Sequence, residues 1–237
     1  MLNIKKYAVF CLILSALVLL SAFGLSHMGN SIAVWQGDAP AVPIFVIDPG
    51  HGGEDGGATD AMGRKESEIN LEISLRLRDL FHLLGVRTLM IREEDVSVNT
   101  EGSTVAARKV SDIRNRVRIT EEAPTAHLIS IHQNFYPEGK YRGAQVFYSG
   151  TEGSRQWAES LQELFTTQVD PNNRRECKPA RDIYLLDHIR CPAILVECGF
   201  LSNTEEAALL QEPSYQKKLA AAIACCALRE SEEENEV

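Results

Sequence analysis

The chain has 237 residues, 44% of them hydrophobic, which suits one globular domain of roughly 190 residues with a tail at each end. A formal net charge of −9, from 33 acidic and 24 basic side chains, argues against the basic stripe of a nucleic-acid binder. Six cysteines without a C-x-x-C pair argue against a cysteine-ligated zinc site.

The N-terminus reads as a targeting segment. Lys5 and Lys6 precede an uncharged apolar run from Tyr7 to Leu25, intermediate in length between a signal-peptide core and a full membrane span. The lysines stay inside, so the rest of the chain is exported. Residues 1–42 are therefore a signal or membrane anchor plus linker. The anchor is the favoured form, because no crisp small-x-small cleavage site follows. Residues 43–229 form the folded domain. Residues 230–237, rich in glutamate, are expected to be a solvated, disordered tail.

A nearly continuous apolar run over 42–48 predicts a buried strand, followed by a glycine-rich loop over 50–61. Residues 66–84 predict an amphipathic helix, with Ile69, Ile73, Leu77, Leu80 and Leu84 at helical spacing and Gly85 as its stop. A strand over 86–91 and a polar loop over 92–104 come next. Residues 106–122 predict a helix with Val110, Ile113 and Val117 on one face and arginines on the other. A third buried strand spans 128–132, and another, nearer the sheet edge, spans 143–148. Residues 154–168 predict a helix that starts at a serine N-cap. A basic loop over 171–181 leads to a short strand over 183–186 and the last buried strand over 193–196. Helices over 205–210 and 215–229 close the domain. The alternation predicts an α/β sheet covered on both faces.

In such sheets, sites form at the carboxyl ends of the strands. His51 follows the first strand among Gly50, Gly52, Gly53, Gly56 and Gly57, where the backbone can bend tightly and leave the imidazole exposed. His132 shares a strand face with Ser130, and a polar face on a buried strand needs partners. Glu66 opens its helix, where the macrodipole alone favours an acidic residue, and Glu68 competes with it. Glu197 ends an apolar run and precedes Gly199. A carboxylate there is expensive unless used, and desolvation raises its proton affinity toward that of a general acid and base. Two imidazoles and two carboxylates at one sheet edge suit a hydrolytic zinc site. Arg174, Arg175 and Lys178 form a basic cluster that either holds an anionic group or is a solvated loop. His27, His82, His127 and His188 read as surface or filler. Most of the cysteines read as free, with a bridge from Cys177 to Cys191 or Cys198 left open.

Four segments then carry a resemblance. Ile47-Asp48-Pro49-Gly50-His51-Gly52-Gly53-Glu54-Asp55-Gly56-Gly57-Ala58, Glu66 through Asn70-Leu71, Ser130-Ile131-His132-Gln133-Asn134 and Val196-Glu197-Cys198-Gly199-Phe200-Leu201-Ser202-Asn203 occur in the order found in zinc-dependent N-acetylmuramoyl-L-alanine amidases of bacterial peptidoglycan. The chain resembles that family over residues 44 to 229. The resemblance implies a single three-layer α/β/α domain with a mixed, mainly parallel sheet, in which residues 43–229 are the catalytic domain. It implies one zinc ion on His51, Glu66 and His132, with Glu197 as catalytic acid and base. Arg175, Lys178 and Asn134 are candidate substrate contacts.

Within the family the chain is most similar to sporulation amidases of the spore cortex. That implies removal of stem peptides from muramic acid in the space around the forespore, followed by a separate deacetylase that helps form muramic-δ-lactam. Some relatives need an accessory lipoprotein activator. Cys198 departs from the usual aliphatic neighbour of the catalytic glutamate, and the leader lacks an obvious cleavage signal. The rival readings are an inactive wall-binding scaffold and a zinc peptidase acting on wall peptides.

Overall fold

The apolar runs pair into one six-stranded sheet, seen in a computed structural model that describes residues 43–235, with side chains through residue 230. The expected targeting segment, residues 1–42, lies outside the described residues. Among those described, no helix is long and apolar enough to cross a membrane.

The strands are β1 (Ile44–Pro49), β2 (Thr88–Met90), β3 (Ala126–Asn134), β4 (Gln145–Tyr148), β5 (Lys178–Pro179) and β6 (Ala193–Phe200). They lie in the order β2-β1-β3-β6-β4-β5. The first four positions in that order are parallel, β4 runs antiparallel to β6, and β5 is parallel to β4. The sheet is therefore mixed and mainly parallel. The helices are α1 (Glu66–Leu83), α2 (Val105–Glu122), α3 (Ser154–Leu164), α4 (Tyr184–Asp187), α5 (Thr204–Gln211) and α6 (Pro213–Asn235), and a π-helical turn (Phe165–Val169) extends α3.

Strand alternation sorts the core into two layers. Phe45, Ile47, Ile129, Ile131, Ile194 and Val196 face α1, α3 and α6, packing on Ile69, Ile73, Leu77, Trp157 and Ile223. Val46, Leu128, Ala193 and Leu195 face the other way, against Leu185 and Leu186 of α4 and the partly buried Ile113 and Val117 of α2. The polar residues Asp48, Ser130, His132 and Glu197 continue this second face toward the carboxyl edge. Register places Asp48 beside Ser130 and His132 beside Glu197.

Several local expectations are corrected. The buried stripe of α1 ends on Phe81, because the helix stops at Leu83 and Leu84 is 53% exposed. On α2, Val110 is exposed and Arg116 is buried, since a buried carboxylate on β1 draws the guanidinium inward. The N-cap of α3 is Gly153, at φ 81, so Ser154 lies inside the helix. The Ser154 hydroxyl instead contacts Ser149 Oγ at 2.9 Å and accepts the Ala193 N–H. Residues 183–186 are not a strand: Tyr184–Asp187 form a short helix that buries Leu185 and Leu186. A short apolar run fits either element. β6 continues to Phe200, so Glu197 lies within the strand rather than at its end. α6 runs on to Asn235, through residues expected to be a disordered tail.

One buried polar network ties β1 to α2. Arg116 pairs with Asp48 and, through Nε, with Asp112 Oδ2 at 2.6 Å. Ser130 donates its hydroxyl to Asp48 Oδ2 at 2.7 Å. Burial works to raise the Asp48 pKa, but Arg116 and then Ser130 outweigh it and hold the carboxyl below its ordinary 3.8. Asp48→Asn removes one of the two carboxylates that neutralise the buried Arg116 cation and leaves only Asp112, and we expect it to lower the unfolding free energy at neutral pH by about 3–5 kcal/mol. A depressed carboxyl pKa contributes stability above its unfolded value and loses it as pH falls through the folded one. In urea titrations, the gap between wild type and Asp48→Asn should therefore be constant near neutrality and narrow below pH 3.8. A gap that does not narrow in acid would contradict this account.

Candidate metal centre

β1 ends at Pro49, and the turn that follows carries His51 in the left-handed region at φ 61. Two glycines make the crowding beyond it feasible. A Cβ on Gly50 would fall 2.2 Å from His132 Nε2. A Cβ on Gly57, whose φ is +68, would fall 2.5 Å from Glu66 Oε2 and 2.7 Å from His51 Cδ2.

Glu66 is the first residue of α1, and Lys65 at the N-cap makes no side-chain cap. The carboxylate is instead fixed by neighbouring donors. Ala58 N–H donates to Oε2 at 2.9 Å, and Gln133 N–H donates to Oε1 at 3.1 Å. Asn70, one turn along α1, points its amide at Oε1 from 3.4 Å. His132 Nδ1 lies 3.0 Å from Glu66 Oε1, and His51 Nε2 lies 3.3 Å from Oε2. One ligand atom from each of His51, Glu66 and His132 lies within 4.8 Å of the others. His51 Nδ1 contacts Asp55 Oδ2 at 3.0 Å, and Lys109 in turn pairs with Asp55 at 2.8 Å. A carboxylate on one ring nitrogen leaves the other as a ligand.

The electrostatics follow from this crowding. Burial disfavours the charged form of His51, but Glu66 and then Asp55 outweigh it and push its pKa up to about 9. Burial likewise raises Glu66, yet His132 and His51 drive it far below the usual carboxylate range. Glu197 goes the opposite way. Burial pushes it up to about 7, with His132 and His51 offsetting part of that rise and Glu66 adding to it. Its Oε2 is buried and has no hydrogen-bond partner among the described residues.

Two imidazole nitrogens and a carboxylate that converge, with Glu197 level with His132 on the next strand and its Oε2 buried without a partner among the described residues, fit a divalent ion with an exchangeable water. This is a donor set that catalytic zinc takes with one position open. Beside it, a cavity of about 210 Å³ is lined by His51, His132, Lys109, Ile183, Tyr184 and Leu195, among others.

The basic candidates are placed differently. Arg175 lies over the Phe200 ring, 4.6 Å from its centroid, and donates to the Arg142 carbonyl. Arg174 bonds to the Pro171 carbonyl. Lys178 is exposed on β5, where it pairs with Phe147, itself level with Leu195 rather than Glu197. The structure does not bring it to the cluster. Asn134 ends β3 just past a register irregularity and pairs with Phe200. His188 stacks on Tyr184 with ring centroids 3.8 Å apart, and its Nδ1 lies 2.8 Å from the Tyr184 carbonyl oxygen. Cys177, Cys191 and Cys198 are free thiols, so neither Cys177 bridge forms. Sequence reasoning missed Asp55 as a partner of His51, although it lies four residues on in the same glycine loop. It also missed Asp48, Arg92 and Arg116, whose partners lie far away in the chain.

The N-acetylmuramoyl-L-alanine amidase family profile matches residues 45–227. Over 184 residues the chain is 39% identical to the germination-specific N-acetylmuramoyl-L-alanine amidase of Bacillus subtilis (strain 168), covering 76% of each chain. Its fold is similar to that of the CwlD amidase of Clostridioides difficile, solved in complex with the GerS lipoprotein. The TM-score is 0.76 at 37% identity, covering 79% of this chain and 98% of that one. An N-acetylmuramoyl-L-alanine amidase of Clostridium difficile 630 gives a TM-score of 0.69 at 26% identity, covering 79% and 96%.

Gly57→Ala alters no ligand but forces a methyl between Glu66 and His51. It should weaken zinc binding on the order of 10–100-fold, read by competition with a chromophoric chelator. Unchanged affinity would show that the close approach of these two groups does not govern metal binding.

Proposed function

The chain belongs to the N-acetylmuramoyl-L-alanine amidase family, and we propose that it hydrolyses the bond between N-acetylmuramic acid and L-alanine with zinc held by His51, Glu66 and His132. The observation that carries this reading is the convergence of those three side chains, with Glu197 level with His132 on the neighbouring strand and electrostatically coupled to all three. When bound, zinc supplies a Lewis acid that polarises the lactyl carbonyl and acidifies the attacking water.

The chain's own residues do the rest. The two backbone N–H donors and Asn70 hold Glu66 in place. Asp55 fixes the tautomer of His51 so that Nε2 faces Glu66. Glu197 takes the proton from the water that adds to the lactyl carbonyl carbon. It then delivers a proton to the departing alanine nitrogen as the C–N bond breaks. The products are a muramic carboxylate and a stem peptide with a free amino terminus. A carboxyl raised to about 7 is matched to moving a proton in both directions near neutral pH.

The finer reading follows the germination-type relatives. The substrate is the peptidoglycan of the spore cortex, and the product passes to a deacetylase that forms muramic-δ-lactam. Residues 1–42 export the domain and either anchor it or are removed, which places it around the forespore. An accessory lipoprotein is its proposed partner, in keeping with the complex of the Clostridioides difficile relative with GerS. Arg175 and Asn134, both at the Phe200 end of β6, are the proposed substrate contacts, with Lys178 a more distant one.

The test is mass spectrometry of muropeptides after incubation with purified sacculi, with and without zinc, and with the lipoprotein present. Wild type should release stem peptides that begin with L-alanine, whereas a peptidase would trim the peptide and leave the muramoyl amide intact. Glu197→Gln should retain one zinc per chain while its turnover falls by about 10²–10⁴. His132→Ala should lose zinc and turnover together. Normal turnover by Glu197→Gln would remove that residue from the mechanism.

A further inference from the structure

Arg92 follows β2 by two residues and is 3% exposed. Among the described residues, its hydrogen bonds all go to backbone carbonyls. Nε donates to Pro49 at 2.9 Å. Nη2 donates to Gly50 at 3.0 Å and to Ser67 at 2.8 Å. Nη1 donates to Glu94 at 2.9 Å. A buried guanidinium is a costly way to fill space, and carbonyl acceptors alone do not neutralise it.

The positions of the acceptors account for it. Pro49 and Gly50 immediately precede His51, and Ser67 immediately follows Glu66. One rigid, planar fork thus joins the turn that carries one proposed ligand to the helix start that carries another. That turn holds His51 at φ 61, a conformation that needs support from its surroundings. Arg116 adds to the support by donating to the His51 carbonyl at 2.6 Å, and Asn70 by donating to that of Gly50 at 3.2 Å. Gly52 leaves room for the brace: a Cβ there would lie 3.0 Å from Arg92 Cδ and Nε.

We infer that Arg92 is a positioning residue, a crossbrace between the His51 turn and the Glu66 helix that presets the ligand spacing and so sets the metal affinity of this chain. The inference rests on the zinc reading above. It gives a buried cation outside the reacting atoms a role in metal loading.

The experiment uses the full chain with Arg92→Met and Arg92→Lys, with zinc affinity measured by chelator competition. The visible spectrum of the cobalt(II)-substituted protein and the urea midpoint of the metal-free protein are recorded alongside. Arg92→Met should weaken zinc binding ~10–100-fold. Arg92→Lys keeps the charge but replaces a fork with a point donor, and should weaken it by at least about fivefold. Both cobalt spectra should shift. A purely structural role would lower the urea midpoint yet leave the zinc affinity and cobalt spectrum of the folded protein at wild-type values, and that result overturns the inference. If Arg92→Met does not fold, Arg92→Lys decides alone, and wild-type affinity in it is equally fatal. Wild type that binds no zinc removes the site assignment and the brace together, whereas zinc-binding wild type with indistinguishable variants removes only the brace.

Discussion

The parallel register of β1, β3 and β6 is the constraint on which everything else hangs. It sets Asp48 level with Ser130 and His132 level with Glu197. Side chains alternate with a period of two, so a slip of one residue would turn His132 into the opposite core layer and bring Ile131 or Gln133 to its place. The apolar halves of the same strands guard against that slip. Ile129, Ile131, Ile194 and Val196 are buried against one set of helices, while Leu128 and Leu195 are buried against the other. Hydrophobic packing far from the chemistry thereby fixes where the polar groups meet.

At the carboxyl edge the balance of forces changes. The side chains there are too polar to be held by burial, so hydrogen bonds and charge take over. Asp48 and Arg116 pair beneath the turn, Arg92 spans carbonyls, and backbone N–H groups grip Glu66. The two glutamates lie in one neighbourhood yet are driven apart. Glu66, surrounded by imidazoles and donors, stays ionised, whereas the half-buried Glu197, whose Oε2 is shut from solvent without a hydrogen-bond partner among the described residues, is raised to about 7. Opposed environments of this kind divide one carboxylate for holding charge from one for moving protons.

Much of this was legible in the sequence because it is local. The apolar runs of β1, β3 and β6 and the amphipathic period of α1 and α6 are written in consecutive residues. The glycines around His51 and the carboxylate after Val196 stand out against apolar surroundings, and the resemblance to a family added their roles. What was not legible is tertiary. Nothing near Arg116 in the chain distinguishes it from the exposed arginines of the same helix, and its burial depends on Asp48, 68 residues away. Arg92 reads as loop polarity until Pro49, Gly50 and Ser67 surround it. Residues 183–186 fit a strand as well as a helix, because four apolar residues carry no period. Lys178 stands three residues from Arg175 in sequence, but β5 carries it to the edge of the sheet.

The central claim is that three side chains distant in sequence share one metal ion. Anomalous diffraction at the zinc absorption edge, on crystals grown from the zinc-loaded protein, tests it most directly. The account predicts a single strong peak at about 2.0–2.2 Å from His51 Nε2, a Glu66 oxygen and His132 Nδ1, with Glu197 nearby but outside the coordination shell. A peak bound by other residues, or none at this edge of the sheet, would contradict it.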